Sequence, residues 1–141
     1  MSILFTSLST CCVCGKTIEK TMLNLDESVS FPPFIQNVSD PLYKFNDDNA
    51  HVECLENDLG RLALEARKNF ELATRLSLRR CVVSGKPIVD WEDFIFIDML
   101  TSDKNDPRYK FNFTVIGRNN LSKWKNLEEF SKLGLNALYQ F

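Results

Sequence analysis

The sequence predicts an α+β fold made from one unit of about 70 residues used twice. Each unit is a small β-hairpin followed by a helix, and the two are expected to pack as one compact unit. Three observations predict this. Residues 11–18 read CCVCGKTI and residues 81–88 read CVVSGKPI. Residues 39–46, SDPLYKFN, return at 105–112 as NDPRYKFN. The matched blocks come in the same order, and each pair is followed by a helical pattern, which chance does not readily produce.

The copies align by arithmetic. Cys11 falls on Cys81 with an offset of 70, and Asp40-Pro41 falls on Asp106-Pro107 with an offset of 66. The second copy is therefore four residues shorter between Ile88 and the strand that follows. At the offset of 66, His51 falls on Gly117, Cys54 on Asn120 and Leu55 on Leu121. The boundary is expected near residue 79, giving units 1–79 and 80–141.

Each element has its own signal. The opening MSILFTSLST reads as a lead-in strand or arm. Cys11–Lys16 suits a tight turn, with Gly15 permitting an unusual backbone angle. SVSF, 28–31, reads as a strand, and Pro32-Pro33 ends regular structure. Residues 50–79 carry apolar side chains at spacings of three and four, from Val52 through Leu76, and predict one long helix joining the copies. Asp48 or Asn49 is its expected cap. Gly60 weakens that helix locally and allows close packing. Arg75, Arg79 and Arg80 near its end suit the helix dipole. FIFID, 94–98, reads as the counterpart of 28–31. Residues 101–107, TSDKNDP, form a polar turn. RYKFNFTVI, 108–116, is the best strand candidate. A closing helix is expected over 121–132, interrupted by Gly134. Beyond it, Leu135, Leu138, Tyr139 and Phe141 form an apolar tail that closes the core or meets a partner.

The first copy offers Cys11, Cys14, His51 and Cys54, a C-x2-C pair, a gap of 36 residues, then H-x2-C. Zinc favours tetrahedral sets of four thiolate and imidazole ligands, and C-x2-C is its usual sequence sign. The turn through Gly15 would aim backbone N–H groups at the sulfurs. A helix starting near His51 would put it and Cys54 on one side of the first turn, where the helix dipole favours thiolate. The second copy keeps Cys81 but has Ser84, Gly117 and Asn120 at the other three places, so it is expected to hold no metal. Packing from Trp91, Phe94, Phe96, Phe111, Phe113 and Trp124 is expected to take the metal's place. Cys12 is a spare thiol that offers a geometrically poorer substitute ligand. Buried apolar thiols and disulfides are the alternatives. Disulfides fit poorly with five cysteines and no evident secretory signal.

The order of thiol turn, strands and a helix bearing the last two ligands resembles the treble-clef family of zinc fingers. The residues that carry the likeness are Cys11, Cys14, Gly15, His51 and Cys54, over roughly residues 9–78. The resemblance implies a structural zinc, one per chain. Members of the family include protein-interaction, nucleic-acid-binding and nuclease domains, so it implies a fold class and no single activity. The 36-residue gap exceeds that of compact LIM-like or RING-like modules, and their eight-ligand pattern is absent.

With 141 residues and 44% apolar content, the chain has enough material for a real core. Its net charge of −2 disfavours bulk binding of DNA or RNA. The N-terminal segment is too short and uncharged for a signal peptide or membrane span, and a cytoplasmic location is expected.

Four ligands leave a zinc ion no open position, and His51 is the sole histidine. CGKT, 14–17, lacks the glycines of a phosphate loop. No enzyme is expected; a metal-dependent nuclease or hydrolase is the weakest alternative. Asp26-Glu27, Asp47-Asp48, Glu56 and Asp58, then Asp90, Glu92-Asp93 and Asp98, suggest an acidic face for a basic protein partner, as in toxin-neutralising immunity proteins. The bland alternative is a solvated surface. A rival reading is a nucleic-acid-binding or transcription-regulatory zinc protein, in which the aromatics and cations of RYKFNF, 108–113, stack on bases.

Overall fold

The computed structural model describes residues 9–19 and 27–134, together with the backbone but not the side chain of Trp91. Most of the expected lead-in segment (1–8), the apolar tail (135–141) and the packing role of Trp91 lie outside the described residues. The chain divides into two compact units, residues 1–67 and 68–141. A single packed unit with its seam near residue 79 is the expectation from sequence.

In the first unit, β1 (Ser28–Ser30) pairs antiparallel with β2 (Asn49–His51), with Ser28 opposite His51. The segment between them is shaped by side chains that bond to backbone. Asp40 Oδ1 accepts from Leu42 N–H at 2.9 Å and caps a 3-10 turn, Pro41–Phe45. Pro41 sits at its first position, where a missing N–H costs nothing. Asn46 Oδ1 then accepts from the backbone N–H groups of Phe34 and Ile35. Asp47 adopts φ 51° and turns the chain into β2. Phe31, Phe34 and Phe45 meet inside, with Phe31 5.3 Å from Phe45 between ring centroids.

The long helix expected over 50–79 is shorter. Residues 49–51 belong to β2, and a 3-10 turn occupies Val52–Leu55. Helix α1 runs from Asp58 to Thr74. Its cap is Asn57, whose Oδ1 accepts from Gly60 N–H at 2.7 Å. Asp48 instead bonds Asn49 N–H. Strand pairing thus claims the backbone that apolar spacing assigns to a helix. Gly60 does allow close packing: a Cβ there would lie 2.4 Å from Leu55 Cα. After Thr74 the chain leaves the helix. Arg79 is buried, donates to Ile88 O and Val89 O, and lies over the Phe94 ring at 4.3 Å. It ties loops together and is not a helix-end charge.

In the second unit, β3 (Phe94–Ile97) pairs antiparallel with β4 (Thr114–Gly117), with Phe94 opposite Gly117. That is the register of the first hairpin carried forward by 66 residues. The strand expected over 108–116 is confined to its last part. Asp106 Oδ1 accepts from Arg108 N–H, Tyr109–Phe111 form a 3-10 turn, and Phe113 sits at φ 57°. These repeat the roles of Asp40, Pro41–Phe45 and Asp47. The closing helix also starts late: Arg118–Lys123 form a 3-10 turn and α2 covers Leu127–Lys132. Gly134, at φ 74°, lies just past its end.

Ile97, Leu100, Phe111, Ile116, Trp124 and Phe130 form one core cluster. Phe111 lies edge-on to Trp124 and Phe130. Cys81, Ile88 and Val115 form another, with Phe94 and Phe96 against it. Phe113 stacks on Phe96 beside Phe70. Aromatic packing therefore supports the second copy. Among the described residues, no helix is long and apolar enough to cross a membrane.

Candidate metal centre

The thiol turn is built by its own backbone. Cys11 N–H donates to Lys16 O at 2.9 Å and Gly15 N–H to Cys11 O at 2.8 Å. Gly15 has φ 76°, a region glycine enters without steric cost. Thr10 and Thr17 bridge across the base of the turn, and Cys11 bridges to Asn49 on β2. Cys12 N–H donates to Asn49 O at 2.9 Å. These bonds place the turn beside the start of β2, two residues before His51, after which the chain enters the 3-10 turn that carries Cys54.

The result brings together Cys11, Cys14, His51 and Cys54, with all four ligand atoms within 4.8 Å of one another. His51 Nδ1 is 3.4 Å from Cys14 Sγ and 4.0 Å from Cys54 Sγ. A tetrahedral zinc with sulfur at about 2.3 Å and nitrogen at about 2.0 Å sets its ligands about 3.5–3.8 Å apart. The spacing and the donor chemistry fit one structural zinc ion per chain. Bound there, zinc would supply the charge that lets three thiolates share the site.

The backbone prepares the sulfurs unequally. Burial acts to raise Cys11, but N–H groups of Cys14, His51 and Val13 and the Cys14 side chain bring its pKa down to about 6. His51 N–H and Val13 N–H approach its sulfur at 3.3 and 3.4 Å. Burial, followed by bonding to Cys11 and Cys14, pushes Cys54 up to about 12. The helix-dipole support expected for Cys54 is missing because α1 begins four residues later, at Asp58. Cys12 lies outside the four-ligand set, and burial and the Asp48 charge push it up to about 11.

The second copy reproduces the turn. Cys81 N–H donates to Lys86 O at 3.0 Å, Gly85 N–H to Cys81 O at 2.8 Å, and Gly85 has φ 72°. Val82 N–H donates to Val115 O as Cys12 does to Asn49. Cys81 Sγ is held by Gly117 N–H at 3.2 Å and Asn120 Nδ2 at 3.8 Å. Burial acts to raise this thiol, but N–H groups of Ser84, Gly117 and Val83 bring it down to about 7. The sequence reading misses this sulfur-centred network. Its one available signal is Asn120, a donor at the position of Cys54.

The two units form a duplicated hairpin-and-helix architecture of treble-clef-like form, and among the described residues the ligand cluster lies in the first. Comparison with protein-family models, curated proteins and solved structures finds no match.

Proposed function

We propose that this protein is a non-enzymatic interaction module whose structural zinc fastens the first unit. Its partner is a basic protein, bound in the manner of a toxin-neutralising immunity protein in the cytoplasm. The observation that supports this most is the closed donor set. Four ligand atoms gathered within 4.8 Å satisfy a zinc ion and keep no position for substrate or water. His51 is buried and faces two of the thiols, which removes the sole histidine from duty as a base.

Glu27, Asp47, Glu53, Glu56 and Asp58 are exposed on the first unit, and Asp90, Glu92 and Asp93 on the second. Exposed carboxylates speed association with a basic partner and set its specificity. The nucleic-acid reading loses its main support. Phe111 is fully buried and Phe113 is stacked on Phe96, so 108–113 has no row of free aromatic faces for bases. Lys110 pairs with Glu129.

The test is cross-linking of the full chain in native cells, identification of the linked protein, and titration of the purified pair. Saturation at one partner per chain, weakened by Glu53→Lys and Glu56→Lys, supports the reading. Binding to unrelated DNA or RNA sequences with a steep loss in added salt would replace it with the nucleic-acid alternative.

A further inference from the structure

We propose that the second unit keeps the complete backbone scaffold of a zinc site, and that Ser84→Cys, Gly117→His and Asn120→Cys together turn it into a second one. The inference rests on the zinc reading of the first unit.

Four matches between the units carry it. The turns that present Cys11 and Cys81 close through the same pair of backbone bonds, and Gly15 and Gly85 share the same left-handed conformation. The residue at the third ligand position has the same backbone in both: His51 at φ −64°, ψ 141°, and Gly117 at φ −62°, ψ 135°. Both donate their N–H to the first cysteine's sulfur, at 3.3 and 3.2 Å. A 3-10 turn follows in both, carrying Cys54 in one and Asn120 in the other. Asn120 Nδ2 already reaches Cys81 Sγ, so a ligand at that position points at the first sulfur.

There is also room. Gly117 has a negative φ, which any L-residue adopts, so histidine there is unstrained. A Cβ at Gly117 would lie 3.4 Å from Asn120 Nδ2 and 3.6 Å from Cys81 Sγ, ordinary contact distances. The first of those neighbours is removed by Asn120→Cys. A pocket of about 280 Å³ is lined by Cys81, Ser84, Gly117 and Asn120 among others, with space for an imidazole ring.

Ser84→Cys alone supplies a second thiol without a third or fourth ligand and leaves the metal count unchanged. The test uses the full chain in three forms: wild type, Ser84→Cys and the triple variant. Each is purified without added metal, titrated with zinc, and counted by elemental analysis and native mass spectrometry. Cobalt(II) absorption then reports tetrahedral thiolate coordination.

The expected counts are one ion per chain for the wild type and Ser84→Cys, and two for the triple variant. One ion in both the wild type and the triple variant overturns the proposal and leaves the first site standing. No ion in the wild type overturns the zinc reading instead, and the triple variant gaining one would still uphold the scaffold. Two ions in Ser84→Cys overturn the alignment of the copies. If the triple variant is unfolded when metal-free, cobalt is added to the unfolded chain. Folding with two tetrahedral ions supports the proposal, and failure to fold with metal overturns it.

Discussion

Asn46 and Asn112 hold the same turn in the two copies through Oδ1, but Asn112 also donates through Nδ2. Asn46 Oδ1 accepts from Phe34 N–H at 2.7 Å and Ile35 N–H at 2.9 Å. Asn112 Oδ1 accepts from Leu100 N–H at 2.7 Å, while its Nδ2 donates to Thr101 O at 2.7 Å. Replacing either by alanine strands backbone groups at the edge of a core and should cost about 1–3 kcal/mol. Aspartate separates them. Asn46→Asp keeps both accepted bonds, whereas Asn112→Asp turns a donor toward Thr101 O into a second acceptor. Denaturant melts should show Asn112→Asp as the more damaging change.

Gly60 tests the packing of α1 against the preceding turn. Alanine is the better helix former by about 1 kcal/mol. Its Cβ would nevertheless fall 2.4 Å from the Cα and carbonyl oxygen of Leu55, which are backbone and cannot rotate away. The overlap should win, leaving Gly60→Ala destabilised by about 1–3 kcal/mol. A stabilised Gly60→Ala in a thermal melt would contradict the observed approach.

Metal removal should act on one unit. A structural zinc contributes folding energy directly, so a chelator or Cys54→Ala should unfold residues around the first site. Both tryptophans lie in the second unit, where Trp124 is buried in a core cluster. The expected result is loss of NMR signals from residues 9–67 while tryptophan emission stays native. Simultaneous loss of both would show that the second unit also depends on the metal.

Asp106 gives a pH signature. The Arg108 side chain and N–H hold its carboxyl down at about 2 against an ordinary 3.8. A carboxyl depressed in the folded state contributes stability in full above its unfolded pKa and loses it as pH falls through the folded one. The second unit should therefore lose this contribution between about pH 4 and 2. Asp106→Asn should flatten that part of its stability curve, read from tryptophan emission in denaturant.

Much of this was legible in the chain. The matched blocks gave the correspondence of the two units, because a four-residue deletion moves the offset without disturbing either block, but not β2, whose residues 50–51 the apolar spacing puts in a helix. The ligand set was legible because zinc demands particular atoms at particular spacings. The onset of α1 was not. Val52, Leu55 and Leu59 follow helical spacing, yet residues 49–51 are claimed by β1 and by Cys12, partners distant in sequence. The segment 108–116 alternates like a strand, yet Asp106, Asn112 and Phe113 bend it through side-chain bonds and a left-handed residue. Propensity averages over neighbours and does not register a single side chain bonding to backbone.

The most direct measurement of the central claim is the metal content of reduced protein purified without added zinc, by elemental analysis with native mass to count chains. The structure predicts one zinc per chain, lost in Cys54→Ala and retained in Cys12→Ser and Cys81→Ser. Reduced, folded protein that contains no zinc and takes up none when it is supplied would contradict it.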